Sequence, residues 1–242
     1  MRWWQNLQPF LKWGEVKIAV FGTEGEDDAE GDMPFSPSIV RFAPEPASDS
    51  RATRLRETAR FWLSRRRHSF ADAVLNCAGN DGVLRLVRDF TPDFILMEGP
   101  WFYELLPALR EGDARLILDA HNVETERFRQ VWEDGADLEG MKRFLVRHKL
   151  AQLKRLEAAV GNAADQIWVC SRDDASRFRN DLRCRSKIEV IPNAVELTRY
   201  GDIYRSRSKR TKREVPPALL YIGSYDYPPN RMAAEFMLDE IF

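Results

Sequence analysis

Cysteine is scarce in this chain: Cys77, Cys170 and Cys184 are the three among 242 residues. Their odd number, wide spacing and lack of paired metal-ligand steps exclude a disulfide framework and suit reduced thiols in a cytosol. Net charge is nearly absent as well. Lys plus Arg number 37 against 38 Asp plus Glu, a balance of -1, so no whole-molecule field selects a polyanion. Long apolar runs are also missing. Residues 1–20 carry Lys12, Glu15 and Lys17 among their apolar positions, which excludes a signal-peptide or membrane-span pattern there. The expected location is cytoplasmic. No Asp-x-Asp pair and no His/Cys cluster is present to hold an ion, so no metal is expected. No serine sits in a G-x-S-x-G elbow, which argues against a serine hydrolase. Gly22, Gly25 and Gly31 fall in an acidic, Pro-containing stretch and form no dinucleotide fingerprint.

What is present is an ordinary globular composition. With 44% hydrophobic residues, the chain is long enough for one good core and part of a second. Short apolar runs at residues 16–21, 94–97, 116–118, 167–170 and 188–191 are bounded by Gly, Pro, Asp or Asn, as expected of buried parallel strands. Between them lie helical patterns. The clearest spans 141–161, where Val146, Leu150, Leu153 and Val160 share a stripe and Lys149, Lys154 and Arg155 fall largely off it. Such alternation predicts an α/β fold with a doubly wound, Rossmann-like parallel sheet flanked by helices.

In such sheets ligands bind beyond the carboxyl ends of the strands. The first candidates are therefore His121 and Asn122, which follow the run ending at Leu118-Asp119. An imidazole and a carboxamide there suit a cleft, a sugar hydroxyl or proton transfer. They equally suit a capped turn, with Asn122 or Thr125 capping the next helix and His121 bonding the backbone. Ser171 and Asp173-Asp174 stand where the fourth run meets a helix, and capping is the expected role. Asn193 ends the fifth run, where it either bridges backbone groups or touches a ligand.

The ordered set DAHNVE, RLE with AD-x-IWVCS, IEVIPNAVE and LLYIGSYDYPPN resembles the retaining glycosyltransferases of the group 1 (family 4) class, with the GT-B fold of two Rossmann-like domains facing across a cleft. Four motifs in this order are specific, and the likeness runs from about Phe94 onward. The opening WWQNLQPFLKWGEVKIAVFG is similar to that family's first helix and second strand. The resemblance implies residues 1–198 as an N-terminal, acceptor-side domain lacking its first strand and Gly-rich loop, residues 199–216 as a basic linker, and residues 217–242 as a strand and helix opening a donor-binding domain. It implies transfer of a sugar from a nucleotide sugar to a glycan or lipid-linked acceptor with retention of configuration, in glycan or polysaccharide biosynthesis, without a metal cofactor. By position, His121 is the catalytic residue facing the reacting sugar, and Asn122, Ser171, Asn193, Gly223 and Ser224 bind substrate. The family's basic pair and spaced glutamates have no counterpart here, so the chain alone is expected to be an inactive fragment. The alternative is a non-catalytic GT-B-like binding module or the product of a decayed gene.

Two basic clusters remain. Arg65-Arg66-Arg67-His68 ends an expected helix, and residues 205–213 hold six Arg or Lys. Both suit a solvated surface or an anionic membrane at the inner face. Without interleaved aromatics, the linker charges do not suit nucleic acid. Trp3, Trp4, Phe10 and Trp13 read as one side of a packed helix or as a membrane-facing acceptor surface. In the last segment, a strand at 218–222 and a helix with Ala233, Phe236, Met237 and Ile241 on one face are expected to leave an exposed apolar patch.

Overall fold

The computed structural model describes residues 2–21, 38–42, 55, 59, 62–66, 69–134, 139–194, 220–225 and 228–241. It divides into two units, Met1–Ala194 and Val195–Phe242. In the first unit, helix α1 (Arg2–Leu11) leads to strands β1 (Lys17–Phe21) and β2 (Ser38–Phe42), then to helix α2 (Ser69–Phe90) and strand β3 (Phe94–Glu98). A 3-10 segment (Pro100–Leu105) and the short α3 (Leu106–Leu109) carry the chain to β4 (Arg115–Ala120). Helices α4 (Glu124–Arg129) and α5 (Gly140–Ala163) precede β5 (Gln166–Val169), and α6 (Arg172–Asn180) precedes β6 (Lys187–Val190).

β1 and β2 form a parallel pair, and β3, β4, β5 and β6 form a parallel sheet in that order. Parallel neighbours need a crossover, and in the larger sheet the helical segments between successive strands provide it. The outcome is the expected α/β architecture, parallel sheets flanked by helices, consistent with a Rossmann-like GT-B domain. Each of the five expected strands forms, with ends shifted by a residue or two. β2 went unread, because Ser-Ile-Val-Arg-Phe is five residues long with a charge inside; its pairing with β1, residue for residue from Lys17↔Ser38 to Phe21↔Phe42, makes it a strand.

Register decides the two faces of the larger sheet. One row aligns Glu98, Asp119, Trp168 and Glu189. With a side-chain period of two, the opposite face carries Leu116, Leu118, Ala120, Ile167 and Val169, which join Val160, Phe178 and Leu182 in the buried core. Helix α1 packs on the first face. Its Phe10 ring lies 5.8 Å from Phe94 and 6.3 Å from Trp168, which places Phe10 in packing, whereas Trp13 is 78% exposed. The side chains of Trp3 and Trp4 lie outside the described residues.

The second unit contains helix α7 (Pro228–Phe236), continued by a π-helical turn (Met237–Ile241). The expected strand is not seen in the part of 218–222 that is described: Leu220, Tyr221 and Ile222 have no ladder partner among the described residues and are irregular. Leu220, Ile222, Phe236, Leu238 and Ile241 are exposed, the apolar surface expected from the sequence. The basic linker and the glycine-containing acidic stretch lie outside the described residues.

One buried carboxylate organises the chain after β4. Neither Asn122 nor Thr125 caps α4; the N-cap is Val123, with no side-chain bond. Glu157 of α5 replaces that cap from outside. Its Oε1 accepts from the Glu124 amide at 2.7 Å, and its Oε2 accepts from the Thr125 amide at 3.1 Å and the Thr125 hydroxyl at 2.7 Å. These are first-turn N–H groups that a helix leaves unpaired, and the positive end of the dipole favours the anion. Burial nevertheless dominates and pushes the Glu157 carboxyl from 4.5 up to about 7.

A folded-state value above the unfolded one means that the folded chain holds this proton more tightly. The stabilisation is fully present below about pH 4.5 and is lost as pH rises through about 7. Denaturant unfolding should therefore show Glu157 lowering stability between those limits, by on the order of 3 kcal/mol. The Glu157→Gln variant should lack this component. Identical pH slopes in the two proteins refute the assignment.

Candidate functional site

The site forms where β3 and β4 end. Glu98 is the last residue of β3, and Gly99 follows with φ +84°, a left-handed geometry that disfavours side chains. A Cβ there would lie 3.0 Å from Trp101 Nε1. The Gly99 amide donates to the Asp119 carbonyl at 3.1 Å, which ties the turn after β3 to β4. Asp119 aligns with Glu98 in the ladder and is fully buried. Its Oδ2 accepts from the Asn6 amide of α1 at 2.5 Å, so a helix from the start of the chain satisfies a carboxylate in the middle of the sheet.

His121 stands two residues beyond Asp119. Its Nε2 lies 2.6 Å from Glu98 Oε2 and 3.9 Å from Asp119 Oδ2. The shorter contact is a charge pair only when the imidazole is protonated, and two carboxylates flank one ring. The side chain is 38% exposed, although Nε2 itself is buried. Such an arrangement can donate a hydrogen bond to a hydroxyl or serve in proton transfer. Glu98, Asp119 and His121 also offer one ligand atom each within 4.8 Å of one another. A cation there would have to displace the His121–Glu98 contact.

The neighbouring strand end joins this cluster. Cys170 follows β5, and its Sγ lies 3.1 Å from the His121 carbonyl oxygen and 3.7 Å from Asn193 Oδ1. Through that sulfur, the residues after β4, β5 and β6 meet at one end of the sheet. Helix α1 reaches the same end, where Gln5 Nε2 donates to the Ala194 carbonyl at 2.5 Å.

The structure thus brings His121 and Asn193 together around Cys170, with exposed Asn122 next in sequence to His121. Ser171 takes the expected cap: its hydroxyl accepts from the Asp174 amide at 3.1 Å and lies 2.6 Å from Asp174 Oδ2. Gly223 and Ser224 belong to the other unit, where Asn230 Nδ2 donates to the Ser224 carbonyl at 3.2 Å. Sequence reasoning missed Glu98 and Asn6. The Glu98-Gly99-Pro100 step carried a signal, an acid at a strand end before two turn residues. Asn6 had none, because a helix position does not reveal which strand it will meet.

No curated protein sequence matches the chain. A family model, Glycosyltransferase Family 4, matches residues 15–199. That span includes every strand of the two sheets and the whole His121 cluster, and it covers most of the chain: the protein belongs to Glycosyltransferase Family 4.

Proposed function

We propose that this chain supplies the acceptor-side half of a sugar transfer from a nucleotide sugar to a glycan or lipid-linked acceptor, with retention of anomeric configuration, in glycan or polysaccharide synthesis. Membership of the family implies a sugar donor and an acceptor. The carrying observation is the 2.6 Å contact between His121 Nε2 and Glu98 at the ends of adjacent strands, where ligands bind in open parallel sheets. In this reading His121 faces the reacting sugar and donates to it. Asn122, Ser171 and Asn193 line the acceptor side, while Gly223-Ser224 belong to the donor side. The transfer proceeds without a metal. Glu98 engages the His121 nitrogen that an ion would need, and the departing diphosphate is stabilised by cationic side chains and helix N-termini of a complete donor domain.

Two assays test this. Purified chain, incubated with UDP- and GDP-sugars, should release nucleoside diphosphate only at background rates, because both substrates must be positioned before chemistry proceeds. Turnover at ordinary enzyme rates refutes the division between halves. In a polypeptide that carries a complete donor domain, His121→Ala should lower turnover by about 10²–10⁴-fold, more than Asn122→Ala, with unchanged melting temperatures and a product anomer matching the donor. Normal turnover of the His121 variant returns that residue to a structural role and favours a binding module.

Peripheral contact with an anionic membrane completes the proposal, and a surface of the first unit supports it. Trp62 stacks on Phe144 of α5, with centroids 6.1 Å apart, and tilts against His148 at 5.1 Å. Trp62, Leu63, Met141 and Phe144 are all exposed, as are Arg65, Lys142, Arg143 and Arg147. Apolar side chains amid cations suit a lipid interface, where each basic residue contributes about 1 kcal/mol. The chain should co-sediment with vesicles containing phosphatidylserine and not with phosphatidylcholine alone. Replacing Arg143 and Arg147 by alanine should weaken binding by about 30-fold. Equal binding to both vesicles, or none to either, removes the membrane from the proposal.

A further inference from the structure

Three aromatic rings stand in a row beside the turn that carries Glu98. Trp101 lies two residues past Gly99, and the missing side chain of that glycine leaves room for the indole Nε1, 3.0 Å from where a Cβ would be. Phe128 of α4 meets Trp101 edge-on at 6.5 Å, and Trp132 meets Phe128 at 4.8 Å. Trp132 sits in a π-helical turn (Gln130–Asp134) that continues α4, a distortion frequent at functional sites. All three side chains are half-buried. None belongs to the buried core of the sheet or to the described hydrophobic residues packed against it. Large rings that pack on one another outside the core, next to the ends of parallel strands, have the make-up of a ligand site.

Cations accompany the rings. The Arg127 guanidinium lies 4.5 Å from the Phe128 centroid and the Lys149 amine 5.7 Å from the Trp132 centroid. Arg127 is paired with Glu124 at 2.7 Å. Lys149 belongs to a stretch of α5, residues 141–156, with six Arg or Lys and no Asp or Glu, so this part of the helix favours an anion. His148, next to Lys149, lies 5.1 Å from Trp62, which stacks on Phe144 in the exposed aromatic and basic patch. Gln152 of α5 donates to the Ser64 carbonyl at 2.8 Å and holds the segment that carries Trp62. Three chemistries therefore follow one another from the patch to the strand ends: exposed apolar side chains, an acid-free run of cations, then aromatic rings that stop at the Glu98–His121 pair.

We infer that this succession is the acceptor track, and that the acceptor is a saccharide joined through phosphate to an apolar chain. The chain stays with Trp62 and Phe144 at the lipid surface. Arg147 and Lys149 bond the phosphate oxygens. The sugar lays its C–H face on Trp132 and Phe128, whose ring faces are electron-rich, and Trp101 directs its hydroxyl toward His121. A neutral glycan makes no use of the acid-free run, and a bare lipid phosphate makes none of the rings beyond it. Calling the ligand an acceptor rests on the sugar-transfer reading; its binding does not.

The test is fluorine NMR on the full chain carrying fluorotryptophan, with signals assigned by single replacements with phenylalanine. The probes are octyl glycosyl phosphates of glucose, galactose, mannose and N-acetylglucosamine, below their micelle concentrations and without vesicles. The matching octyl glycosides lack the phosphate, and the matching sugar phosphates lack the chain. At least one octyl glycosyl phosphate should bind about tenfold more tightly than either of its halves and shift the Trp101 and Trp132 signals, with Trp13 at the end of α1 unmoved. Lys149→Gln, an exposed substitution, should remove most of that preference for phosphate. Trp132→Ala should weaken binding about tenfold and Trp132→Phe should retain it, at unchanged melting temperatures. If Trp132→Ala unfolds, the fluorine shifts and Lys149→Gln decide. No binding of any probe, equal binding of glycoside and glycosyl phosphate, or shifts that leave Trp101 and Trp132 still overturns the track. Sugar transfer that fails in a polypeptide with a complete donor domain, while these shifts persist, overturns the reaction and leaves the track standing.

Discussion

The clasp of Glu157 on the start of α4 is the interaction on which the geometry of this domain turns. The chain leaves β4 at Ala120 and must reverse into a helix within three residues, exposing amide groups that the helix cannot pair. Glu157, buried on a different helix, accepts from Glu124 and Thr125. It thereby fixes where α4 begins, and with it the short segment that carries His121. A carboxylate in so dry a place is costly to ionise, which is why its proton is held up to about 7. The same group that anchors the loop makes the anchoring pH-sensitive.

Around that anchor, two further polar contacts cross the fold. Asn6 reaches from the first helix to Asp119 in the fourth strand, and Glu98 reaches from the third strand to His121. Neither pair is close in sequence. Together they put an imidazole between two carboxylates at the end of a parallel sheet, while α1 shields the buried partner. The opposite face packs on an apolar core, so the sheet divides its labour by side-chain parity: packing on one face, polar chemistry at the end of the other.

Much of the architecture was legible beforehand. The runs at 94–97, 116–118, 167–170 and 188–191 announced their strands because they are short, nearly continuous in apolar residues and bounded by Gly, Pro, Asp or Asn. The stripe of Leu150, Leu153 and Val160 announced α5 by its period. Ser171 announced its cap, a local bond three residues long. β2 escaped notice because pairing with β1, more than its own composition, makes it a strand. At 220–222, the described part of the last apolar run, a strand-like composition without a described neighbour is irregular.

By itself, the sequence determined the periodicities, the strand ends and the presence of His121, Asn122, Ser171 and Asn193 just beyond those ends, since each depends on neighbours within a few positions. Tertiary structure alone decided that Glu98 is the partner of His121, that Asn6 satisfies Asp119, and that Glu157 replaces the cap missing from α4. Those pairings depend on sheet register and on which helix crosses which strand, and both are set by packing the whole core.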